Sequence, residues 1–426
     1  MERNDPRYQA YVEILKEELI PAMGCTEPIA LAYAAAKARE VLGVLPDSVQ
    51  LQVSGSIIKN VKSVIVPNTG HLKGMEAAVA ARIIAGSAEK ELEVISEVSE
   101  EKKSAIRDYL QTVPITIEHT EQGHVFDIVV TERCGQDYAR VRIADYHTNI
   151  CRIEKNGTVL YEVPLLDETV QENARADRSL LNMQDIWDFA ETADLRDVAD
   201  LLERQIRYNN AIAEEGLLGD YGANIGRVLL TTYGNDVSNR AKAKAAAGSD
   251  ARMNGCELPV IINSGSGNQG ITCSVPLIEY AKELHSGKEK LYRALIISNL
   301  VAIHEKTGIG TLSAYCGAVS AGAGAGAGIV YLCGDGYQAA IHTVVNALAI
   351  VSGIVCDGAK ASCAAKIASS VDAALLGYNM YKCNQEFKGG DGIVMKDIET
   401  TIKGIGRLGK DGMRQTNEEI IRLMMS

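Results

Sequence analysis

Positive charge is scarce in this sequence. Its 426 residues include 43 Lys and Arg against 55 Asp and Glu, which gives a formal net charge of −12. A protein that binds nucleic acid needs a basic surface for the phosphates, so we expect no nucleic-acid partner. The length and an apolar fraction of 46% allow a large core and predict more than one structural unit.

Long apolar runs of the kind that enter membranes are also missing. The start, MERNDPRYQAYVEILKEELIPAMG, alternates charged and apolar residues and lacks the apolar region of a signal peptide. Two later stretches are apolar, but 317–333 is short and rich in Gly and Ala, and 339–356 contains His342 and Asn346. We therefore expect buried helices there, no membrane association and a cytoplasmic location.

Closely spaced cysteine pairs are absent as well. The sequence has ten cysteines and no C-x₂₋₄-C pair, so the cysteine spacing does not match that of the usual structural zinc sites. Disulfides are rare in the cytoplasm, so the thiols are expected to be buried small residues, reactive groups or metal ligands.

The order of apolar patterns predicts an α+β fold, a large mainly helical domain with an inserted or appended smaller α/β domain. Residues 1–48 are predicted as N-terminal helices packed on the helical domain, 49–165 as the α+β domain and 166–426 as the helical domain with the cysteines. Alternating residues predict strands at VQLQVSGSIIKN, SVIVP, ITIEH, HVFDIVVTE, ARVRIAD and TVLYEV. Helices are predicted among them at GMEAAVAARIIAG and KELEVISEVSEEKKSAIRDYLQ.

The stretch VCDGAKASC places two thiols, Cys356 and Cys363, around a helix start signal. Asp357 is a good N-cap, so we expect a helix to begin just after Cys356, with Cys363 on its second turn and Cys356 beside the positive helix end. Cys316, in SAYCGAVSAGAG, is the best third thiol. Three thiolates suit a [4Fe-4S] cluster in which the fourth iron has no protein ligand and can act as a Lewis acid. The alternative is that the three thiols are buried and inert.

Polar loops supply candidate substrate contacts. NSGSGNQG (263–270) combines flexible glycines with hydrogen-bonding side chains and favours carboxylate binding, the alternative being a turn without a ligand. Its candidate contacts are Ser264, Ser266, Asn268 and Gln269. The loop VPNTGHLKG adds Asn68, Thr69 and His71, and Lys360 could stabilise an anion near Cys363. His147 is a candidate acid or base; the alternative is a structural role.

Four segments, AMGCTEPIALAYAAAKAR, NSGSGNQGI, AYCGAVSAGAGAGAG and GIVCDGAKASCAAKIASS, resemble the motifs of bacterial and archaeal L-cysteine desulfidases, a family related to the α chain of iron–sulfur L-serine dehydratases. The resemblance spans residues 20–380. It implies an oxygen-sensitive [4Fe-4S] cluster held by Cys316, Cys356 and Cys363. Serine dehydratases place their last two ligands further apart, so the resemblance supports Cys363 less than the other two.

The same resemblance implies an α,β-elimination that gives pyruvate and ammonia. Within GCTEP, Cys25 is implied as a base or a further ligand, and Glu27 could equally remove a proton or bind the substrate ammonium; Thr26 is a candidate substrate contact. We expect a lyase acting on a small amino acid, L-cysteine ahead of L-serine. The alternatives are a dehydratase of another small acid and a non-catalytic binding or redox-sensor protein. The sequence does not determine whether the protein forms a homodimer.

Overall fold

The computed structural model of the protein describes residues 1–24, 26–85, 98–120, 124–165, 175–310 and 313–425. Its N-terminal half contains helices α1 (Pro6–Glu18), α2 (Thr26–Leu42), α3 (Gly55–Val61), α4 (Gly74–Ala85) and α5 (Glu100–Thr112), and strands β1 (Pro21–Met23), β2 (Ser48–Ser54), β3 (Ile115–Thr120), β4 (Asp127–Cys134), β5 (Asp137–Ala144), β6 (Ile150–Lys155) and β7 (Thr158–Glu162).

The remainder is helical apart from one short strand. It contains α6 (Met183–Thr192), α7 (Ala199–Leu218), α8 (Ile225–Tyr233), α9 (Val237–Met253), β8 (Pro259–Ile261), α10 (Gly267–Glu283), α11 (Lys288–Ile309), α12 (Gly317–Cys333), α13 (Tyr337–Val351), α14 (Cys363–Lys382), α15 (Ile398–Arg407) and α16 (Arg414–Met425). The predicted α+β class is confirmed. No helix of the described residues is long and apolar enough to cross a membrane.

A six-stranded sheet forms the centre of the smaller core. Its order is β3-β2-β4-β5-β6-β7, with β2 and β3 parallel and the other neighbours antiparallel. The alternating pattern puts a cross-strand row, Leu51, Val130, Val141 and Ile153, on one buried face. Helices α2 and α4 contribute alanines and β-branched side chains to the same core.

The Gly-Ala helix α12 lies at the centre of the larger core, as its composition predicts. A Cβ atom at Gly322 would lie 2.7 Å from the Ser370 backbone in α14, and one at Gly324 would lie 2.4 Å from the Ser298 carbonyl oxygen in α11. Small residues on two faces of α12 thus allow backbones to approach on both sides. The predicted buried helix over 317–333 is confirmed at both ends.

Gly324→Ala is expected to destabilise the protein by about 1–3 kcal/mol, because the added methyl group meets a backbone oxygen that can move only with its helix. Urea unfolding measures this change. Gly353→Ala is the matched control, since a Cβ there has no heavy atom within 4 Å. Equal midpoints for the two variants would show that α11 and α12 are not tightly packed.

Two predicted strands are wrong, and one observed strand was not predicted. Residues SGSIIKN form the end of β2 and then α3, because Ile57, Ile58 and Val61 bury on one helix instead of alternating across a sheet. SVIVP forms only an isolated bridge between Ile65 and Lys73. Strand β6 was not predicted, and the part of the predicted helix KELEVISEVSEEKKSAIRDYLQ before residue 98 lies outside the described residues.

The two N-terminal helices contribute to different cores. Side chains of α1, such as Tyr11 and Leu15, belong to the helical core, whereas those of α2, such as Leu31 and Ala35, belong to the sheet core. Between them, β1 pairs antiparallel with β8 of the helical part. The chain therefore passes from one core to the other between β1 and α2; the domain division at 48 and 165 stays a prediction.

Candidate active site

A short backbone ladder joins the two segments that carry the predicted ligands. Tyr315 and Val355 form an antiparallel bridge. On either side of it, the Cys316 N–H donates to the Ile354 carbonyl at 3.1 Å and the Cys356 N–H donates to the Ala314 carbonyl at 2.6 Å. Two thiols separated by 40 positions in the sequence are thereby held on one small piece of backbone.

Helix starts place two of the three thiols. Cys316 immediately precedes α12, and Cys363 is the first residue of α14. The predicted helix start after Cys356 and the second-turn position of Cys363 are therefore wrong, because residues 357–362 form a loop with Gly358 at φ +93°. The positive end of the helix dipole at each start favours negative charge on these sulfurs.

The three thiols share one electrostatic environment. Burial raises the pKa of the Cys316 thiol to about 12, and the neighbouring Cys356 and Cys363 thiols interact with it electrostatically. Burial also raises the pKa of Cys363, against the effect of nearby Lys360. The raised pKa values keep Cys316 and Cys363 protonated near neutral pH, whereas a bound metal deprotonates a coordinating thiol.

Four lysines surround the thiols. Lys306 and Lys59 are buried; burial lowers the pKa of Lys306 to about 8 and lowers that of Lys59, while Cys356 and Cys316 oppose both changes. Lys366 bonds to Asp357 and donates to the Val355 carbonyl at 2.8 Å. Lys360 bonds to the same carboxylate and to the carbonyls of residues 357 and 358. This cationic shell suits an occupant with negative charge.

These residues fit an iron–sulfur cluster better than a single metal ion. Among the described residues, no three His, Cys, Asp or Glu side chains converge closely enough to hold one ion. In a four-iron cluster each cysteine binds a different iron, so its ligands need to surround a volume instead of meeting at a point. Three neighbouring thiols meet that requirement: Cys316 is buried, Cys356 and Cys363 are half-buried, and Cys316 and Cys363 lie at helix starts.

Glu27 connects the thiol site to the sheet core. It lies in the first turn of α2 with 9% of its surface exposed, and it accepts a hydrogen bond from Asn60 Nδ2 at 3.0 Å. It also interacts electrostatically with Lys59, which in turn interacts with Cys356. Glu27, Lys59 and Cys356 therefore form one electrostatically linked group between the two cores.

The 263–270 loop approaches the site from the helical side. Ser264 Oγ donates to Asn263 Oδ1 at 2.9 Å, and Ser266 occupies the N-cap of α10 with no capping hydrogen bond from its side chain. Asn268 accepts from Arg252 at 3.2 Å. Gln269 packs so closely on Gly317 that a Cβ there would lie 2.6 Å from its side chain, next to Cys316. The loop therefore reaches the thiol-bearing helix start.

The 66–74 loop has a more structural character than predicted. Thr69 is fully buried, donates to the Val66 carbonyl at 2.7 Å and accepts from the Leu72 N–H at 3.2 Å, so its hydroxyl holds the loop together. Asn68 is buried and His71 is exposed. Pro67 contacts Gly24, which places the loop beside GCTEP. Cys25 and the Thr26 side chain lie outside the described residues.

The sequence did not identify Lys59, Asn60, Lys306 or Lys366 as site residues. Lys59 and Asn60 were assigned to a strand. From the sequence alone, Lys306 and Lys366 resemble ordinary solvated helix residues. The only available signal was the amphipathic spacing of IIKNV, which indicates a helix whose polar residues could share a face with a neighbouring site.

A family model matches most of the chain. Residues 89–422 match the model of the serine dehydratase alpha chain, a range that contains the 263–270 loop and all three thiols but not GCTEP or the 66–74 loop. The chain belongs to the serine dehydratase α-chain family.

Full-length relatives carry the name UPF0597 protein. One from Desulfitobacterium hafniense is 61% identical over 100% of this chain and 99% of its own length. A relative from Lachnoclostridium phytofermentans is 52% identical over 98% of this chain and 100% of its own length. One from Treponema denticola is 46% identical over 100% of both chains.

Proposed function

We propose that this protein is an iron–sulfur-dependent lyase that catalyses the α,β-elimination of L-cysteine to pyruvate, ammonia and sulfide. The observation that carries the proposal is that Cys316, Cys356 and Cys363 lie near enough to interact electrostatically, with lysines around them and with Cys316 and Cys363 at helix starts that favour anions. Membership of the serine dehydratase α-chain family supports the lyase class and the iron–sulfur cofactor.

The three thiolates would hold a [4Fe-4S] cluster, which supplies a Lewis-acidic iron for the substrate's carboxylate or leaving group. The surrounding side chains do the remaining work. Lys59, Lys306 and Lys366 offset the negative charge, and the 263–270 loop orients the carboxylate through hydroxyl, amide and backbone donors.

Elimination also needs a base for the substrate's α proton. Glu27 is buried, interacts with Lys59 and lies in the charged group that reaches Cys356, so it is suited to remove the proton or to bind the substrate ammonium. Cys25, two positions earlier, is the other predicted base. The Cα–H electrons form the Cα=Cβ bond as the leaving group departs, and the resulting aminoacrylate hydrolyses to pyruvate and ammonia.

L-Serine is the second candidate substrate, favoured by the family match. It requires loss of water instead of hydrosulfide from the same three-carbon skeleton. The two reactions share every residue role described above and differ only at the β substituent, so a direct comparison of the substrates separates them.

The test is anaerobic purification followed by iron and acid-labile sulfide analysis, with pyruvate and sulfide measured in parallel. We expect about four irons per chain and equimolar pyruvate and sulfide from L-cysteine. Faster pyruvate formation from L-serine would assign the dehydratase reaction. Protein that holds the cluster but turns over no small acid would be a sensor or binding protein, and iron-free protein after reconstitution would overturn the proposal.

A further inference from the structure

His147 has a buried nitrogen that nothing in the proposed function uses. The residue lies in the connection between β5 and β6, and its ring packs edge-to-face on Phe126 with ring centroids 4.7 Å apart. Its Nε2 atom is buried and has no hydrogen-bond partner in the described part of the chain. Leaving such a nitrogen unsatisfied costs about 1–3 kcal/mol, so the physical expectation is a partner from outside the chain, either water or a ligand.

The surroundings of this imidazole are those of the candidate active site. Glu27 interacts with it electrostatically, and Glu27 itself reaches Lys59 and the thiols. On the other side, a Cβ at Gly265 would lie 4.0 Å from His147 Cε1, the carbon bonded to Nε2. The same loop reaches Cys316 through Gln269 and Gly317. His147 therefore lies between the proposed carboxylate loop and Glu27.

We propose that His147 is a catalytic residue, the group that contacts the substrate's Cα–H and accepts its proton on Nε2. This inference rests on the proposed function and deepens it by naming the base. In the step, the Cα–H bond breaks, its electron pair forms the Cα=Cβ bond, and the bond from Cβ to sulfur breaks as hydrosulfide leaves. The proton ends on the imidazole, and no oxidant or reductant is consumed.

The environment prepares the ring for this role. Burial lowers the pKa of His147, so the imidazole is neutral and able to accept a proton near neutral pH. The Glu27 carboxylate acts in the opposite direction and stabilises the imidazolium once it forms. Phe126, itself buried, fixes the ring orientation. Glu27 then works through His147 as a positioning and electrostatic partner.

The experiment measures α-hydrogen exchange in D₂O by proton NMR, with L-alanine as the probe, because it has the substrate skeleton but no leaving group. Wild-type holoprotein is expected to exchange the α hydrogen. His147→Asn is expected to lower that rate and kcat for L-cysteine at least about 10²-fold, with iron content and KM little changed. His285→Asn, at an exposed histidine after α10, is the control.

His147→Gln repeats the measurement with a longer polar side chain, and thermal unfolding of both variants identifies any folding defect. Wild-type exchange and turnover with an unimpaired His147→Asn or His147→Gln would overturn this inference and leave the proposed lyase intact. Cluster-bearing wild-type protein that neither exchanges L-alanine nor turns over L-cysteine or L-serine would overturn both.

Discussion

Cys316→Ala is expected to lose both the cluster and all measurable turnover while remaining folded. The Cys316 thiol is the one most deeply buried of the three and interacts electrostatically with the other two. It also sits on the backbone ladder that aligns Cys356. Removing it leaves two thiols, which are too few to hold the cluster firmly in a site that needs three. Iron analysis and the pyruvate assay measure the loss.

Cys273→Ala is the matched control for this variant. Cys273 is fully buried in α10 between Ala302 and Ala321, so its replacement removes a thiol of equal size from the same helical core. It should keep wild-type iron content and turnover. Cys316→Ala protein that retains four irons and full activity would contradict the proposed ligand set. Circular dichroism of both variants separates loss of the ligand from loss of the fold.

The sequence predicted the fold class and the helices α1, α2, α4, α12 and α13 because their apolar spacing and terminal signals are local properties. It also selected the three thiols as a group, although their role stays a proposal. It failed at α3, where β-branched residues favour a strand until the burial of Ile57, Ile58 and Val61 is considered together. Tertiary packing decided that segment.

The start of α14 failed for a related reason. Asp357 has the chemistry of an N-cap, but its carboxylate bonds the side chains of Lys360 and Lys366 instead of a helix N–H. Gly358, at positive φ, turns the chain against Lys59. The ion pairs of Asp357 and the close contact of Gly358 with Lys59 explain why the helix begins at Cys363 and not after Asp357. Neither interaction can be recognised in the local sequence.

The candidate site depends on contacts between the two cores, which explains why its lysines were missed. Lys59 belongs to the sheet core, yet its ammonium donates to the Ser313 carbonyl at 3.2 Å, three residues before Cys316. Its carbonyl lies so close to Gly358 that a Cβ there would be only 1.9 Å away. One residue of α3 thus contacts both segments that carry the thiols.

The C-terminal helix completes this contact. Asn417 in α16 accepts a hydrogen bond from Lys59 at 2.6 Å, and a Cβ at Gly55 would lie 2.8 Å from Ile421. The π-helical turn Leu408–Gly412 precedes α16, and its Gly409 carbonyl accepts from Ser313 Oγ at 2.6 Å. The C-terminal segment therefore bonds both α3 and the loop before Cys316, and Lys59 lies where the two cores and this segment meet.

Lys59→Met is expected to reduce turnover by roughly 10²–10³-fold, the cost typical of removing one preorganised charged donor from an active site. The side chain is only 1% exposed, so its charge acts on Glu27 and Cys356 with little screening by water. Cluster retention should fall with activity, measured as iron remaining after incubation with a chelator. Loss of the two hydrogen bonds should also lower stability by about 1–3 kcal/mol.

Lys62→Met provides the comparison, since Lys62 follows the same helix but is exposed, and its ammonium donates to the Met424 carbonyl. Its iron retention and turnover should match those of the wild type. If Lys59→Met also kept wild-type iron retention and turnover, the Lys59 side chain would contribute only to packing and its charge would have no role in the site. If it lost iron and turnover while Lys62→Met did not, the charge of α3 would be part of the thiol site, and the sheet core would be required for the chemistry of the helical core.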